Sequence, residues 1–351
     1  MKIKDIKAYE LLDSRGNPTV GVEVILSDES IGLSLVPSGA STGKHEAIEK
    51  RDSKKERYLG KGVLDAVNNI HNHILPLLRD RDASDLFGND LLMIEADGTD
   101  SKRNFGANAV IAVSMACAKA AANSLKIGLN EYISNKASEF YDRKLVQKLP
   151  IPMLNILNGG AHADNSIDFQ EFMIRPFNFN SFSDSLRCGV EIFHTLKQTL
   201  EDRNLNTSVG DEGGFAPNLD TPELALDLIM ESIEKAGYKP GEEVNLCLDV
   251  AATEFYSDSI YKINGKGELN TNEMIDYLKT LRNRYPIYSI EDGLDEDDWQ
   301  GWKILTEELG VQTQLVGDDL FVTNTTRIKR GIEESSANSV LIKVNQIGSL
   351  S

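Results

Sequence analysis

The chain has 351 residues, of which 40% are hydrophobic and 26% are charged, and its formal net charge at pH 7 is −18. That length can bury a sizeable core and favours two domains, while the negative charge argues against nucleic acid or an anionic membrane surface as a partner. Apolar runs of the roughly 18 residues that a membrane helix needs are missing, and the chain opens without a signal-peptide pattern, so we expect a cytoplasmic protein.

An α+β domain is predicted at the amino terminus. Residues Ile3 to Leu26 favour an antiparallel hairpin, because apolar residues alternate from Val20 to Leu26 and a turn-forming run precedes them. Residues 36–46 are rich in Gly and Ser and predict a loop, either a plain surface connection or a functional one. Helical patterns cover residues 63–78 and 108–126. The charged segment 135–148 is the predicted boundary, which divides the chain into domains 1–135 and 145–351.

The three cysteines, Cys117, Cys188 and Cys247, are widely spaced and fall inside predicted helices or a strand. In a cytosolic protein this pattern is more typical of buried thiols than of disulfides or a metal site. We therefore predict three buried, unpaired thiols.

Two strands are predicted directly after the boundary, at residues 152–157 and 169–174. The connection between them is too short for a crossover helix, so the two strands should be antiparallel. His162 lies in that connection, and Gln170 and Glu171 lie early in the second strand. The three side chains should therefore share one end of the sheet.

Helices are predicted at residues 183–202 and 221–236, on either side of the glycine loop Gly210–Gly214. Each of these elements reverses the direction of the chain. Glu212 should therefore lie at the same end of the sheet as His162. A solvated acid in a flexible loop is the simpler alternative for Glu212 taken alone.

Four short apolar runs then end in a charged residue each: Val244–Asp249, Tyr288–Glu291, Leu315–Asp318 and Val340–Lys343. Separated by helical patterns, such runs are typical of buried parallel strands, whose carboxyl ends emerge on one functional face. Asp249, Glu291 and Asp318 would repel one another there unless a cation lay between them, and hard oxygen ligands suit Mg²⁺. A lysine beside a metal and among apolar strands can lose its proton and act as a base, which makes Lys343 a candidate.

The chain resembles the enolase family over essentially its full length, through nine motifs in the family's order. They are Leu12-Asp-Ser-Arg-Gly-Asn-Pro-Thr19, Ser38-Gly-Ala-Ser-Thr-Gly43, Asn158-Gly-Gly-Ala-His-Ala163, Phe169-Gln-Glu-Phe172, Gly210-Asp-Glu-Gly-Gly214, Leu248-Asp-Val-Ala-Ala252, Ser289-Ile-Glu-Asp292, Gly317-Asp-Asp-Leu320 and Leu341-Ile-Lys-Val-Asn-Gln-Ile-Gly348. Gly293, where many relatives have Pro, resembles the bacterial form.

The resemblance implies an α+β capping domain followed by a TIM-like β/α barrel whose second strand is antiparallel, with six of eight strands present, in a homodimer or higher even oligomer. The implied reaction is the reversible dehydration of 2-phosphoglycerate to phosphoenolpyruvate in glycolysis and gluconeogenesis.

The same resemblance implies a role for each candidate site residue. Lys343 would remove the proton on C2, and Glu212 would protonate the departing 3-hydroxyl. Glu171 would pair with Glu212, while His162 and Gln170 would help to hold the substrate. The resemblance also implies that Asp249, Glu291 and Asp318 hold a first Mg²⁺, and that Ser41 joins with a second.

The family's pattern continues through two more barrel strands after the position of Ser351, including groups that grip the substrate's phosphate and carboxylate. We therefore expect residues 1–351 alone to expose an apolar edge, to be poorly soluble and to lack measurable hydratase activity. Three hypotheses stay open at this stage: an enolase or an inactive fragment of one, another acid-sugar enzyme of the superfamily, and a non-catalytic binding scaffold. The loops around Ser41 and Gly210 argue against the second.

Overall fold

The computed structural model describes residues 1–39, 42–53 and 55–351. The described residues form two compact units. The first contains Met1–Gly39, most of His45–Lys148 and Lys343–Ser351, and the second contains residues 42–44 and Leu149–Ile342. The last nine residues thus fold with the amino-terminal part of the chain.

The first unit is built on a three-stranded antiparallel sheet. Its strands are β1 (Ile3–Leu12), β2 (Pro18–Leu26) and β3 (Ile31–Leu35), paired in the order β1-β2-β3. The predicted hairpin is therefore confirmed, with Ala8 opposite Val22 and Ile6 opposite Val24. Alternation places these four side chains on the buried face of the sheet.

The first unit also contains helices, of which the one at Ala107–Leu125 packs against β2 and β3. They are a 3₁₀ turn at Tyr58–Gly60, a helix from Leu64–Asn69 through a π segment at Ile70–Ile74 to Leu75–Leu78, and helices at Leu86–Asp97, Ala107–Leu125, Leu129–Phe140 and Val344–Ile347. The predicted helices at 63–78 and 108–126 are confirmed to within one residue. The helix Leu129–Phe140 occupies the first part of the charged segment that the sequence analysis used as a boundary.

The alanine-rich helix Ala107–Leu125 is the centre of the first unit. Most of its residues are buried on both the sheet side and the helix side. Small side chains allow this close packing, and β3 approaches most closely at Gly32, where an added Cβ would lie 2.1 Å from the Ala116 carbonyl oxygen and 2.3 Å from the Ala120 nitrogen. Position 32 therefore requires glycine, because any Cβ there would overlap the backbone of the helix.

The second unit is built on a six-stranded sheet. Its strands are β4 (Leu154–Asn158), β5 (Glu171–Pro176), β6 (Val244–Asp249), β10 (Ile287–Glu291), β11 (Gln314–Gly317) and β12 (Ser339–Val340), in the order β12-β11-β10-β6-β5-β4. A small separate sheet, which the sequence analysis did not predict, joins β7 (Tyr256–Ser257), β8 (Ile260–Ile263) and β9 (Gly267–Leu269).

Helices follow the strands of the large sheet. They are Phe182–Asp202, Pro222–Lys235, Thr271–Arg284, Trp299–Leu309 and Thr325–Glu334, with 3₁₀ turns at Gly160–His162 and Ala252–Phe255. The helix starts agree with local capping chemistry: Thr221 accepts from the Leu224 amide, and Asn270 with Glu273 forms a capping box.

Strand directions in the large sheet agree with the prediction. β5 is antiparallel to both β4 and β6, whereas β6, β10, β11 and β12 are parallel. The start of β5 therefore lies at the same edge as the carboxyl ends of the parallel strands. One boundary was wrong: the predicted strand Val340–Lys343 ends its ladder at Val340, because Gly317 is the last paired residue of β11.

Within the described residues, no single helix is long and apolar enough to cross a membrane, although the bent pair Ala107–Leu125 and Leu129–Phe140 together meets the length and composition requirement. Cys117, Cys188 and Cys247 are buried and not disulfide-bonded, as predicted. Burial raises the pKa of the Cys188 and Cys247 thiols to about 12, so they stay protonated at neutral pH.

We expect Gly32→Ala to destabilise the first unit by about 2–3 kcal/mol, because the new methyl group would overlap helix backbone that cannot move aside. Native-state hydrogen exchange in the helix Ala107–Leu125 measures this loss. Gly128→Ala is the matched control, since its φ is −66° and its added Cβ would crowd only the end of the Asn130 side chain. Equal protection in the two variants would show that the close approach is not needed.

Candidate active site

The strand ends of the second unit bring acidic residues into register. Asp249 lies opposite Glu171 on β5 and opposite Glu291 on β10. The main chain continues this alignment beyond the strands, because the Val250 amide donates to the Glu291 carbonyl at 2.9 Å. Asp249 and Glu291 are 5% and 8% exposed. Two acids on neighbouring strands are thus almost withdrawn from solvent at one sheet edge.

The electrostatic consequence is clearest at Glu291. Burial, followed by the negative charges of Asp249, Asp292, Asp318 and Glu171, raises the pKa of the Glu291 carboxyl well above its usual range. The acids that the sequence analysis grouped as metal ligands therefore share one electrostatic environment. Such a cluster needs protons or a cation to offset its charge.

Asp292 lies in the same acidic cluster, and the sequence analysis quoted it in a motif but gave it no role. Its carboxylate accepts hydrogen bonds from the Asp318 amide at 3.0 Å and the Asp319 amide at 2.7 Å. It is itself buried, and its φ of 41° is unusual for a residue with a side chain. Asp292 thus fixes the backbone that carries Asp318, and the pair of successive acids at Glu291-Asp292 was the signal that could have identified it.

Burial also raises the pKa of Asp292, with the charges of Asp319 and Asp318 adding to the effect. Oxygen atoms of Asp292, Asp318 and Asp319 lie within 4.8 Å of one another, as do ligand atoms of His162, Glu171 and Glu212. The predicted trio of Asp249, Glu291 and Asp318 does not form such a group among the described residues. Asp249, Glu291 and Asp318 nevertheless offer buried carboxylate oxygens, which are the ligands that a hard divalent cation prefers.

His162 and Glu171 form a contact at the same sheet edge. His162 Nδ1 lies 3.3 Å from Glu171 Oε1, and the imidazole is buried. Burial lowers the pKa of His162, but the contact with Glu171 and the charges of Glu171, Glu212 and Asp249 outweigh it and leave the pKa raised. His162 therefore supplies positive charge to an otherwise acidic site over a wider pH range than an isolated histidine.

Glu212 reaches this edge because two glycine-containing loops fit closely together. The Asp211 amide donates to the His162 carbonyl at 3.1 Å. An added Cβ at Gly210 would lie 2.5 Å from that carbonyl oxygen, and one at Gly214 would lie 2.8 Å from the Leu157 nitrogen. The loop Gly210–Gly214 therefore needs glycines at both ends to place the exposed Glu212 beside His162 and Glu171.

Gln170 presents a specific hydrogen-bonding group to the site. Its Nε2 donates to Asp249 Oδ2 at 3.0 Å. Because an ionised carboxylate only accepts hydrogen bonds, this contact fixes the orientation of the Gln170 amide. Gln170 Oε1 is then left buried without a hydrogen-bond partner among the described residues. An acceptor in that state suits a ligand that carries a hydroxyl group.

The structure thus brings together seven of the predicted site residues in the second unit: His162, Gln170, Glu171, Glu212, Asp249, Glu291 and Asp318. Lys343 belongs to the segment that folds with the first unit, is half-buried and comes directly before the helix Val344–Ile347. It lies three residues beyond the last strand residue, so it is not the strand-end lysine that the sequence pattern predicted. Ser41 lies outside the described residues.

Two family models match the chain and together cover almost all of it. The model described as "Enolase, N-terminal domain" matches residues 3–133. The model described as "Enolase, C-terminal TIM barrel domain" matches residues 146–351. The predicted fold class, an α+β domain followed by a TIM-type barrel domain, is confirmed by these matches.

We expect the His162 imidazole to titrate above the usual value of 6.5, and Glu171→Gln to lower its midpoint by removing the nearest negative charge. A raised pKa means that the contact stabilises the folded state most fully below pH 6.5, and that this contribution is lost as the pH rises through the folded-state pKa. The ring-proton chemical shift of His162 as a function of pH is the measurement. The exposed Glu201→Gln serves as the control, and equal midpoints in the two variants would contradict the assignment.

Proposed function

The chain belongs to the enolase family, and on that premise we propose that it catalyses the reversible dehydration of 2-phosphoglycerate to phosphoenolpyruvate. The coarser assignment, a lyase of the enolase superfamily, follows from the two domain matches. The observation that carries the finer proposal is the grouping of His162, Glu171 and Glu212 at the sheet edge where Asp249 and Glu291 are buried.

The reaction poses an electrostatic problem that this site is suited to solve. The proton on C2 lies beside a carboxylate that is already negative, so its removal creates a second negative charge on the same group. Positive charge placed in advance where that charge develops stabilises the transition state. The buried carboxylates Asp249, Glu291 and Asp318 would hold one Mg²⁺, and Ser41 would contribute to a second. When bound, Mg²⁺ supplies that positive charge.

The acid side of the reaction is assigned to Glu212. It is exposed on the loop Gly210–Gly214, where it can reach a substrate hydroxyl, and ligand atoms of His162 and Glu171 lie within 4.8 Å of its own. A general acid has to carry a proton while the substrate is bound and deliver it to the leaving group. Glu212 would pass that proton to the departing 3-hydroxyl, while Glu171 pairs with it and the imidazole of His162 orients both.

The base side is assigned to Lys343. A lysine needs to be neutral to accept the C2 proton, and its flexible side chain needs to be held in one place for efficient transfer. Gln170 would help to hold the substrate, since its unpaired Oε1 can accept a hydrogen bond from a substrate hydroxyl. Proton removal at C2 by Lys343 precedes loss of the hydroxyl assisted by Glu212.

In the cell this activity would belong to glycolysis and gluconeogenesis in the cytoplasm, and the protein would act as a homodimer or a higher even oligomer. Absorbance of phosphoenolpyruvate after addition of 2-phosphoglycerate tests the central proposal. This measurement and the activity measurements below use a chain that continues through the two further strands of the family's pattern. Failure to dehydrate 2-phosphoglycerate, together with turnover of an acid sugar, would assign the protein to another activity of the superfamily.

The proposed metal site can be tested by removing the metal or one of its ligands. We expect chelation of Mg²⁺ to abolish turnover and Glu291→Gln to weaken Mg²⁺ binding at least tenfold, because one ligand and one negative charge are lost together. Isothermal titration with Mg²⁺ measures the affinity independently of turnover. Glu308→Gln is the control, since Glu308 lies on the surface and pairs with Lys279. Turnover in excess chelator, or equal affinities in the two variants, would exclude the metal assignment.

The proposed base and the proposed acid can be tested separately. Lys343→Ala should abolish exchange of the C2 proton with solvent, whereas Glu212→Gln should block dehydration and retain exchange, because proton removal comes first. Deuterium incorporation into 2-phosphoglycerate in D₂O, followed by NMR, measures the exchange. Lys303→Ala, at an exposed position on the helix Trp299–Leu309, is the control. Loss of exchange to the same extent in both site variants would refute this division of roles.

A further inference from the structure

The segment Val344–Ser351, here called the anchor segment, is integrated into the core of the first unit. It begins with the helix Val344–Ile347, which ends at Gly348 with a φ of 82°. Val344 and Leu350 contact the hydrophobic core around the central helix, and Gln346 is 1% exposed. The residues that directly follow the proposed base are therefore held by the first unit.

The backbone of the anchor segment touches the central helix at Gly348. An added Cβ there would lie 2.9 Å from Ala107 Cβ and 3.1 Å from Lys102 Cδ. Both the positive φ and this close approach require glycine. At the other side of the helix turn, the Ala47 amide donates to the Gln346 carbonyl at 2.8 Å. The anchor segment thus has one defined path over the first unit.

Two buried polar side chains fix the end of that path. The Leu350 amide donates to Ser114 Oγ at 3.1 Å, and the Ser351 amide donates to Asp90 Oδ2 at 3.0 Å. Ser114 Oγ in turn donates to Asp90 Oδ2 at 2.9 Å. Ser114 and Asp90 are each 1% exposed. The Ser114 hydroxyl therefore links the anchor segment to Asp90 by both accepting and donating a hydrogen bond.

Burying an aspartate between two helices costs desolvation free energy unless the contacts of its carboxylate offset that cost. Burial raises the pKa of Asp90, and its Oδ1 has no hydrogen-bond partner among the described residues. An apolar side chain would pack between the helices Leu86–Asp97 and Ala107–Leu125 without this desolvation cost. The contacts that Asp90 does make, to Ser114 and to the backbone of Ser351, indicate that its task is to receive the anchor segment.

We propose that Asp90 and Ser114 are positioning residues for Lys343, acting through the anchor segment. This inference rests on the proposed role of Lys343 as the base. A lysine side chain has many rotamers and a mobile backbone would add further freedom, so fixing the residues on its carboxyl side restricts where the amine can lie. Misplacement of a reacting group by about 1 Å can cost on the order of 100-fold in rate.

The test compares two serine-to-alanine substitutions in the first unit. Ser114→Ala removes the hydroxyl that holds Leu350. Ser34→Ala removes an equally buried hydroxyl that donates to the Ala112 carbonyl and, in the part of the chain that the structure describes, makes no hydrogen bond to the anchor segment. We expect backbone hydrogen exchange in the anchor segment to rise about fivefold to tenfold in Ser114→Ala, from loss of about 1 kcal/mol. The same variant should lose about tenfold in the kcat for C2 proton exchange, with KM for 2-phosphoglycerate within twofold. Ser34→Ala should change neither.

Asp90 offers a matched pair of substitutions. Asp90→Asn keeps an oxygen that can accept from both Ser114 and Ser351, so slow exchange in the anchor segment should be retained. Asp90→Leu keeps the branched shape of the side chain, although it is larger, and removes both acceptors, so it should behave like Ser114→Ala. Ser114→Ala makes a side chain smaller and Asp90→Leu makes one larger, so a similar rise in exchange in both variants would come from the lost hydrogen bonds and not from a change in volume. Unchanged exchange in Asp90→Leu would overturn the proposal.

A readout that does not depend on catalysis separates this inference from the proposed function. The rate at which Lys343 is acetylated by an N-hydroxysuccinimide ester, followed by mass spectrometry, reports on the placement of its amine. We expect at least a threefold change in Ser114→Ala and none in Ser34→Ala. If 2-phosphoglycerate is not turned over but this difference is seen, only the proposed function fails. Equal labelling rates in the two serine variants would overturn the positioning role.

Discussion

The mutual repulsion of buried carboxylates at one sheet edge is the constraint on which the second unit's functional architecture depends. Glu291 experiences burial and the charges of four neighbouring acids, and its raised pKa records the cost. Protons or a divalent cation can offset that cost, and a cation does so while keeping the carboxylates ionised. A cation held by these carboxylates would also stabilise negative charge that develops on a bound substrate.

Backbone conformation carries part of the same cost. Asp292 has a φ of 41° directly after the strand-end Glu291, and Ala251 has a φ of 45° shortly after Asp249. Residues other than glycine adopt such conformations only where surrounding contacts hold them, at a cost of order 1–3 kcal/mol each. The contacts are visible here: Asp249 accepts from the Ala251 amide, and the Ala252 amide donates to the Asp292 carbonyl. Strain and charge are thus concentrated at the same edge.

Sequence patterns predicted most of this scaffold because they report local geometry. Alternation predicted the hairpin Ile3–Leu26, and short apolar runs predicted the parallel strands that carry Asp249 and Glu291. Asp292 was not given a role, since its importance comes from accepting the amides of Asp318 and Asp319, which directly follow the neighbouring strand β11. The path of the anchor segment could not be predicted either, because periodicity indicates that a helix is amphipathic but not which core it joins. The strand at Val340 is shorter than predicted, and the chain joins the first unit from Lys343 onward.

The reversed direction of β5 has a consequence for the order in which the chain folds. The ladder between β4 and β5 closes a short loop and brings His162 near Glu171 through local contacts. The ladder between β5 and β6 joins residues far apart in sequence, so its loop-closure entropy is larger and it should form more slowly. We therefore expect His162 and Glu171 to come together early, and the acid Asp249, which lies opposite Glu171 across the β5–β6 ladder, to join them later.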